Sequence, residues 1–197
     1  MNVVGLSGSP SAQSRSAWLL QFAQTRLNAQ RRGDAATIAL REMPAQALVH
    51  GDAQHPALRE AIGRIARAEV VLVATPIYKA AYSGLLKIFL DLLPSDILRG
   101  KSVLPLATGG SPGHLLAIDY ALKPVLGALG ARHIVDAVYV LDEQLVPHET
   151  LGYVPDDAIV ERLDRALLGL ADVPPRRASP IAPPLRESPT LVARFHS

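Results

Sequence analysis

The sequence predicts an α/β fold, a doubly wound five-stranded parallel sheet in the order 2-1-3-4-5 with helices on both faces. Three observations carry that prediction. Short apolar, β-branched-rich runs at residues 2 to 6, about 35 to 41, 70 to 75, 102 to 107 and 134 to 140 alternate with longer stretches of helical periodicity. Val70-Val71-Leu72-Val73-Ala74 is apolar at every position, as a strand covered on both faces requires. Unusual loops follow the first, third and fourth runs, which this strand order sets side by side at the centre, where the winding reverses and ligands bind.

Taken in order, the first run Val3-Val4-Gly5-Leu6 opens into Ser7-Gly8-Ser9-Pro10-Ser11-Ala12-Gln13-Ser14-Arg15-Ser16 before helical periodicity begins. Hydroxyls, a glycine and one arginine at a helix N-terminus make a phosphate cradle, in which backbone N–H groups and the helix dipole hold the anion. Ser9, Ser14, Arg15 and Ser16 are the expected contacts. The glycines of G-x-G-x-x-G and the Gly-Lys-Ser/Thr of the P-loop are both missing, which points to a mononucleotide rather than a dinucleotide site. The loop after the second run, Glu42-Met43-Pro44, is ordinary. Leu58, Ala61, Ile62 and Ile65 then recur at helical spacing, with Arg59, Glu60, Arg64 and Arg67 on the opposite face.

The third run leads into Thr75-Pro76-Ile77-Tyr78-Lys79-Ala80-Ala81-Tyr82-Ser83-Gly84, where Pro76 is expected to stiffen the chain and present the backbone of Ile77, Tyr78 and Lys79 to a flat ring. The fourth leads into Thr108-Gly109-Gly110-Ser111-Pro112-Gly113-His114, whose glycines let backbone approach a ligand closely and whose histidine starts the next helix. Asp156 to Ala171 is helical and opens on two acids that suit the helix dipole. From Asp172 the prolines at 174, 175, 180, 183, 184 and 189 break any period, so residues 1–171 form one domain and 172–197 an extended or disordered Pro- and Arg-rich tail.

Composition excludes several function classes. With 197 residues, 49% hydrophobic and 19% charged, the chain reads as one globular domain with a full core. No basic, apolar leader and no stretch near the roughly 20 apolar residues of a membrane span is readable, so the expected compartment is the cytoplasm. The chain has no Cys, which removes disulfides, thiol nucleophiles and Cys-ligated metals. His50, His55, His114, His133, His148 and His196 include no pair at i, i+3 or i, i+4, so no metal site is expected. A net charge of +2, with Arg scattered and few aromatics, argues against nucleic acid.

Gly109-Gly110-Ser111-Pro112-Gly113 also matches the G-x-S-x-G nucleophile elbow, with Asp142 and His148 following in the chain order of a hydrolase triad. Pro112 defeats that reading, because the residue after the serine must donate its N–H to the oxyanion hole and proline has none.

Gly8-Ser9-Pro10-Ser11 with Ser14-Arg15-Ser16, the segment Thr75 to Gly84, and Ala107-Thr108-Gly109-Gly110 running through His114 to Tyr120 and Pro124 together closely resemble the NADPH-dependent FMN reductases of the flavodoxin-like superfamily. Within that family they are most similar to the reductase component of two-component alkanesulfonate monooxygenase systems. The resemblance spans residues 1 to about 171. It implies a homodimer or homotetramer in which NADPH gives a hydride to FMN, and the reduced flavin passes to a separate flavin-dependent monooxygenase. It also assigns cofactor contacts: Ser9, Ser14, Arg15 and Ser16 at the phosphate; Pro76, Ile77, Tyr78, Lys79 and Ser83 beside the ring and ribityl chain; Thr108, Gly109, Gly110 and His114 on the other side. No acid, base or nucleophile is needed, since hydride transfer is the cofactors' own chemistry.

The same resemblance makes Tyr120 an inserted residue that produces a π-helical bulge tied to flavin release and assembly. Chain chemistry agrees, because Pro124 denies the Tyr120 carbonyl its i+4 hydrogen bond and makes a bulge cheap there. Two rivals stand beside this reading. One is an FMN-retaining NAD(P)H:quinone or azo reductase on the same fold. The other is a flavodoxin-type electron carrier, against which the mildly basic charge weighs.

Overall fold

The computed structural model describes residues 1–31 and 35–170. The expected tail, 172–197, lies outside them. Strands β1 (Val3–Ser7), β2 (Ala35–Ala39), β3 (Val70–Tyr78) and β5 (Ser102–Gly109), with β6 (His133–Ile134) and β7 (Val138–Leu141) at one edge, form a parallel sheet in the order β2-β1-β3-β5-β6/β7. This is the 2-1-3-4-5 order of a flavodoxin-like fold, the fifth strand being divided in two.

Alternation along each strand sorts side chains between two layers. Val4, Leu6, Val71, Val73 and Val103 face helices α3 (Pro56–Arg67), α4 (Gly84–Asp91) and α5 (Lys123–Ala128), with the short α2 (Ala45–Val49) at the margin. Val3, Val70, Leu72, Leu104 and Leu106 face α1 (Arg15–Arg31) and α6 (Asp157–Gly169). Helix α1 buries Leu19, Leu20, Ala23 and Leu27, and it packs so closely on β1 that a Cβ at Gly5 would stand 2.6 Å from Gln24 Nε2. Helix α3 buries Leu58, Ala61 and Ile65 and turns its arginines outward, the face the spacing predicts. Asp156 is the N-cap of α6 rather than part of its first turn, and its carboxylate accepts from the Ile159 N–H at 2.8 Å.

Several boundaries differ from the sequence-based expectation. The second strand stops at Ala39, where a 3₁₀ turn over Leu40–Glu42 takes the place of its last expected residues. The fifth strand is interrupted between Ile134 and Val138. Val103 to Leu106 on β5 spans three steps while Ile134 to Val138 on the edge spans four, so one extra residue is accommodated there. Pro105 explains its position. The Val103 carbonyl accepts from the Val135 N–H at 3.0 Å, so residue 105, two further on, also faces the edge strand, and proline has no N–H to offer it.

The third run does not end at Thr75 but continues to Tyr78 and folds back as β4 (Ala81–Tyr82), pairing Ile77 with Tyr82 and Tyr78 with Ala81. Pro76 therefore sits inside a strand, opposite Thr108, and the expected loop is a hairpin. The fourth run extends to Gly109, so Thr108 and Gly109 are strand residues. The helix expected after it is segmented into a 3₁₀ turn (Pro112–Leu115), a π-helical turn (Ile118–Leu122) and α5. A second hairpin, β8 (Leu145–His148) and β9 (Gly152–Pro155), follows β7 and has no counterpart in the sequence-based reading.

Candidate active site

The carboxyl ends of β1, β3 and β5 lie in register, with Ser7 beside Ala74 and Pro76 beside Thr108. From this rim the three loops are tied to one another. The Gly8 N–H donates to the Ala74 carbonyl at 2.8 Å, and the Ser83 hydroxyl donates to the Gly8 carbonyl. A Cβ at Gly109 would lie 3.5 Å from that of Ile77, so the loop after β5 starts against the hairpin after β3. The three loops that the strand order should bring together therefore meet at one rim.

In the first loop, Ser14 caps α1 by accepting from the Ala17 N–H at 3.1 Å, and its hydroxyl lies 3.0 Å from that of Ser16. Ser9 is buried and accepts from the Ser11 N–H at 3.2 Å, which curls the loop back on itself. The amides of Arg15 and Ser16 fall in the first turn of α1, where a helix supplies no carbonyl partners. Arg15 Nε is buried with no hydrogen-bond partner among the described residues. Its guanidinium carbon stands 5.5 Å from the Tyr153 ring centroid, and Nε is 3.9 Å from Asp142 Oδ1, beyond hydrogen-bonding distance. Hydroxyls, free amides and a guanidinium whose Nε makes no hydrogen bond thus come together at the N-terminus of α1, a donor set of the kind that suits an anion.

In the hairpin, Pro76 and Ile77 are buried while Tyr78, Lys79 and Ala80 are exposed at its tip. Lys79 and Ala80 have φ of 51° and 62°, the paired left-handed conformation of a type I′ turn, which ordinarily selects Asn or Gly. Ser83 stands apart from the other expected contacts. Its hydroxyl is buried and fully engaged, donating to Gly8 and accepting from the Leu86 N–H at 3.1 Å as the cap of α4, while its own N–H donates to Thr75 Oγ1 at 3.0 Å.

In the third loop, Thr108 and Gly109 are buried and Gly110 is exposed. Gly109 is obligatory, since a Cβ there would lie 2.5 Å from the Tyr139 hydroxyl, which donates to the Ser111 carbonyl at 2.7 Å and fixes the loop. Burial first, and then the charge of Asp142, push the Tyr139 phenol above its ordinary value. His114 is half-buried in the 3₁₀ turn, and its Nδ1 is buried without a partner among the described residues. With Ala80, Leu116, Ala117 and Tyr120 it lines a cleft of about 210 Å³, too small to enclose a flavin and open to one side.

The serine-hydrolase constellation is absent in space. His148 accepts through Nδ1 from the Thr150 and Leu151 N–H groups at 3.3 Å within the β8–β9 turn, and Asp142 faces Arg15. The wall behind Arg15 is what sequence reasoning missed. Tyr153 packs edge-on against Trp18, whose Nε1 donates to the Leu151 carbonyl at 2.7 Å, so the second hairpin is pinned to the start of α1.

The Tyr120 region takes the expected bulge. The Lys123 N–H reaches back to the Ile118 carbonyl, an i to i+5 bond, and Pro124 follows at once. An ion pair between Lys123 and Asp119, 2.6 Å apart, braces the turn, and the Tyr120 side chain stands 80% exposed.

Comparison with known proteins agrees with this architecture. The chain is 45% identical over 170 residues to an FMN reductase (NADPH) of Escherichia coli, covering 85% of this chain and 86% of that one. It is 41% identical over 199 residues to an FMN reductase (NADPH) of Pseudomonas putida, covering 99% of each. The crystal structure of an NADH:FMN oxidoreductase (EMOB) in its apo form superposes with a TM-score of 0.80 at 38% identity, covering 89% of this chain and 91% of that one. Residues 1–145 match the family described as NADPH-dependent FMN reductase, and the chain belongs to that family.

Proposed function

We propose that this NAD(P)H-dependent FMN reductase treats FMN as a substrate, releasing it reduced to a separate flavin-dependent monooxygenase, with alkanesulfonate desulfonation as the reaction served. The observation that carries the reading is the open rim: Arg15, its Nε free of a hydrogen-bond partner among the described residues, at the N-terminus of α1, and a cleft of about 210 Å³, open to one side, lined by Ala80, His114 and Tyr120. Such a site grips one end of the flavin and leaves the other accessible.

FMN, when bound, accepts a hydride from the nicotinamide of NADPH. The chain's part is to bind and orient. Ser9, Ser14, Arg15 and Ser16 take the phosphate. Pro76, Ile77, Tyr78 and Lys79 line the ring side, and Ser83 holds that segment against Gly8. Thr108, Gly109, Gly110 and His114 complete the opposite wall, where the exposed Gly110 lets backbone approach and Gly109 makes room for Tyr139. Tyr120 on the bulged turn and Leu115 and Leu116 just before it are exposed apolar side chains, which favours burial against a second copy in a homodimer or homotetramer. On this reading Tyr120 couples assembly to flavin release. The reductase unit spans residues 1–171 and works in the cytoplasm; no helix among the described residues is long and apolar enough to cross a membrane.

NADPH oxidation by the purified protein, with and without added FMN, tests the reading when combined with gel filtration. Free-flavin dependence and loss of yellow colour on the column are expected. Retained colour with ping-pong transfer to a quinone would instead identify the FMN-retaining reductase. Tyr120→Ala is expected to change both flavin retention and the oligomeric state, and a variant unaltered in both would remove Tyr120 from the mechanism.

A further inference from the structure

Among the described groups near the phosphate receptor, one has the wrong sign for an anion site. Asp142 opens the 3₁₀ turn after β7 and directs one carboxylate oxygen to within 3.9 Å of Arg15 Nε. The other lies 3.7 Å from where a Cβ at Gly110 would be, so no side chain at 110 comes between the carboxylate and the loop. At that distance Asp142 makes no hydrogen bond to the guanidinium. It neither consumes the arginine's donors nor leaves its charge unopposed. Tyr153, 5.5 Å from the guanidinium carbon, bounds Arg15 on another side.

We propose that Asp142 is a counter-charge that weakens FMN phosphate binding and so hastens release of the flavin; this rests on the reading of Ser9, Ser14, Arg15 and Ser16 as the phosphate site. A dianionic phosphate taken up by Arg15 shares the cation with a carboxylate already facing it, and the two anions repel. Because the Arg15 and Asp142 side chains are 38% and 45% exposed, the repulsion is screened by water and salt. The result is moderate affinity with a fast off-rate, which suits a flavin that must leave every cycle.

The test is the dissociation constant of FMN and of riboflavin, read by quenching of flavin fluorescence, for the wild type, Asp142→Asn and the neighbouring charge control Glu143→Gln; Asp142→Ser repeats the test should the Asn variant fold poorly. At low ionic strength Asp142→Asn is expected to bind FMN about fivefold more tightly, the magnitude of one partly screened like-charge contact. The gap should shrink at about 0.5 M salt and be absent for riboflavin, which lacks the phosphate. Equal or weaker FMN binding by Asp142→Asn overturns the proposal, as does equal tightening by Glu143→Gln. A wild type that binds FMN no better than riboflavin would instead overturn the phosphate site itself, so the two failures are distinguishable.

Discussion

The Ser83 hydroxyl donates to the carbonyl of Gly8 across 75 residues of sequence, joining the loop after β1 to the hairpin after β3. The same oxygen caps α4 by accepting from Leu86, so one side chain satisfies a buried carbonyl and a helix N-terminus together. Ser83→Ala leaves both unpaired and is expected to cost about 1–2 kcal/mol in urea denaturation. Ser83→Thr, which keeps the hydroxyl, should recover part of that loss. A change under about 0.3 kcal/mol in Ser83→Ala would mean that the two loops are held together by other contacts.

The path from residues to site was legible where local chemistry announces itself. Alternating apolar runs are the direct consequence of strands buried on both faces, and they placed the three loops at one rim. The bulge was legible through the family resemblance at Tyr120, with which the missing donor of Pro124, four residues later, agrees. The hairpin tip was not legible, because Lys79 and Ala80 carry none of the glycine or asparagine that normally reports positive φ. The wall behind Arg15 was equally hidden. Tyr153 reaches it only through the long-range docking of the β8–β9 hairpin on Trp18, and Asp142 because β7 ends beside Gly109, neither of which leaves a periodic trace in the chain. Ser83 enters the sequence reading only through the family resemblance, and its hydroxyl's partners, Gly8 and Leu86, are set by tertiary packing.

The strain at the hairpin tip is directly testable. Ala80 holds φ at 62°, a region that disfavours any side chain with a Cβ and that glycine occupies freely. Ala80→Gly is expected to stabilise the fold by roughly 0.5–1 kcal/mol, the relief of strain exceeding the added entropy of the unfolded chain. Thermal unfolding followed by circular dichroism reads the change. An equal or lower Tm would show that the tip is not strained.

On the proposed reading, Arg15 is the charged group that distinguishes FMN from unphosphorylated riboflavin. Charge-assisted hydrogen bonds to a phosphate are each worth about 1.5–3 kcal/mol, so Arg15→Ala should weaken FMN binding roughly 10- to 100-fold. Riboflavin binding should stay within about twofold, a shift set by packing alone. Equilibrium titration of both flavins checks the pair of outcomes, and an equal loss for both would place the arginine beside the ring rather than the phosphate.

Tyr139 links the third loop to pH. Its hydroxyl donates to the Ser111 carbonyl at 2.7 Å, while burial and then the charge of Asp142 raise its pKa above the ordinary tyrosine value. The folded state therefore prefers the neutral phenol. The stability this contributes is fully present below the unfolded pKa of about 10 and is lost as pH climbs through the higher folded value. Tyr82, raised chiefly by burial, adds in the same direction. Lys101, lowered by burial while it donates to the Ala66 and Ala68 carbonyls, acts oppositely, since its folded state favours losing the proton that the unfolded chain keeps. Tyr139→Phe removes the hydrogen bond and the titration together. It should cost about 0.5–1.5 kcal/mol at neutral pH, and the deficit should narrow above about pH 10, where the wild type begins to lose its phenol contribution. Urea denaturation at pH 7.5 and 10.5 measures both values. A deficit that is constant or widens across that interval would show that the Tyr139 phenol is not held neutral by the fold.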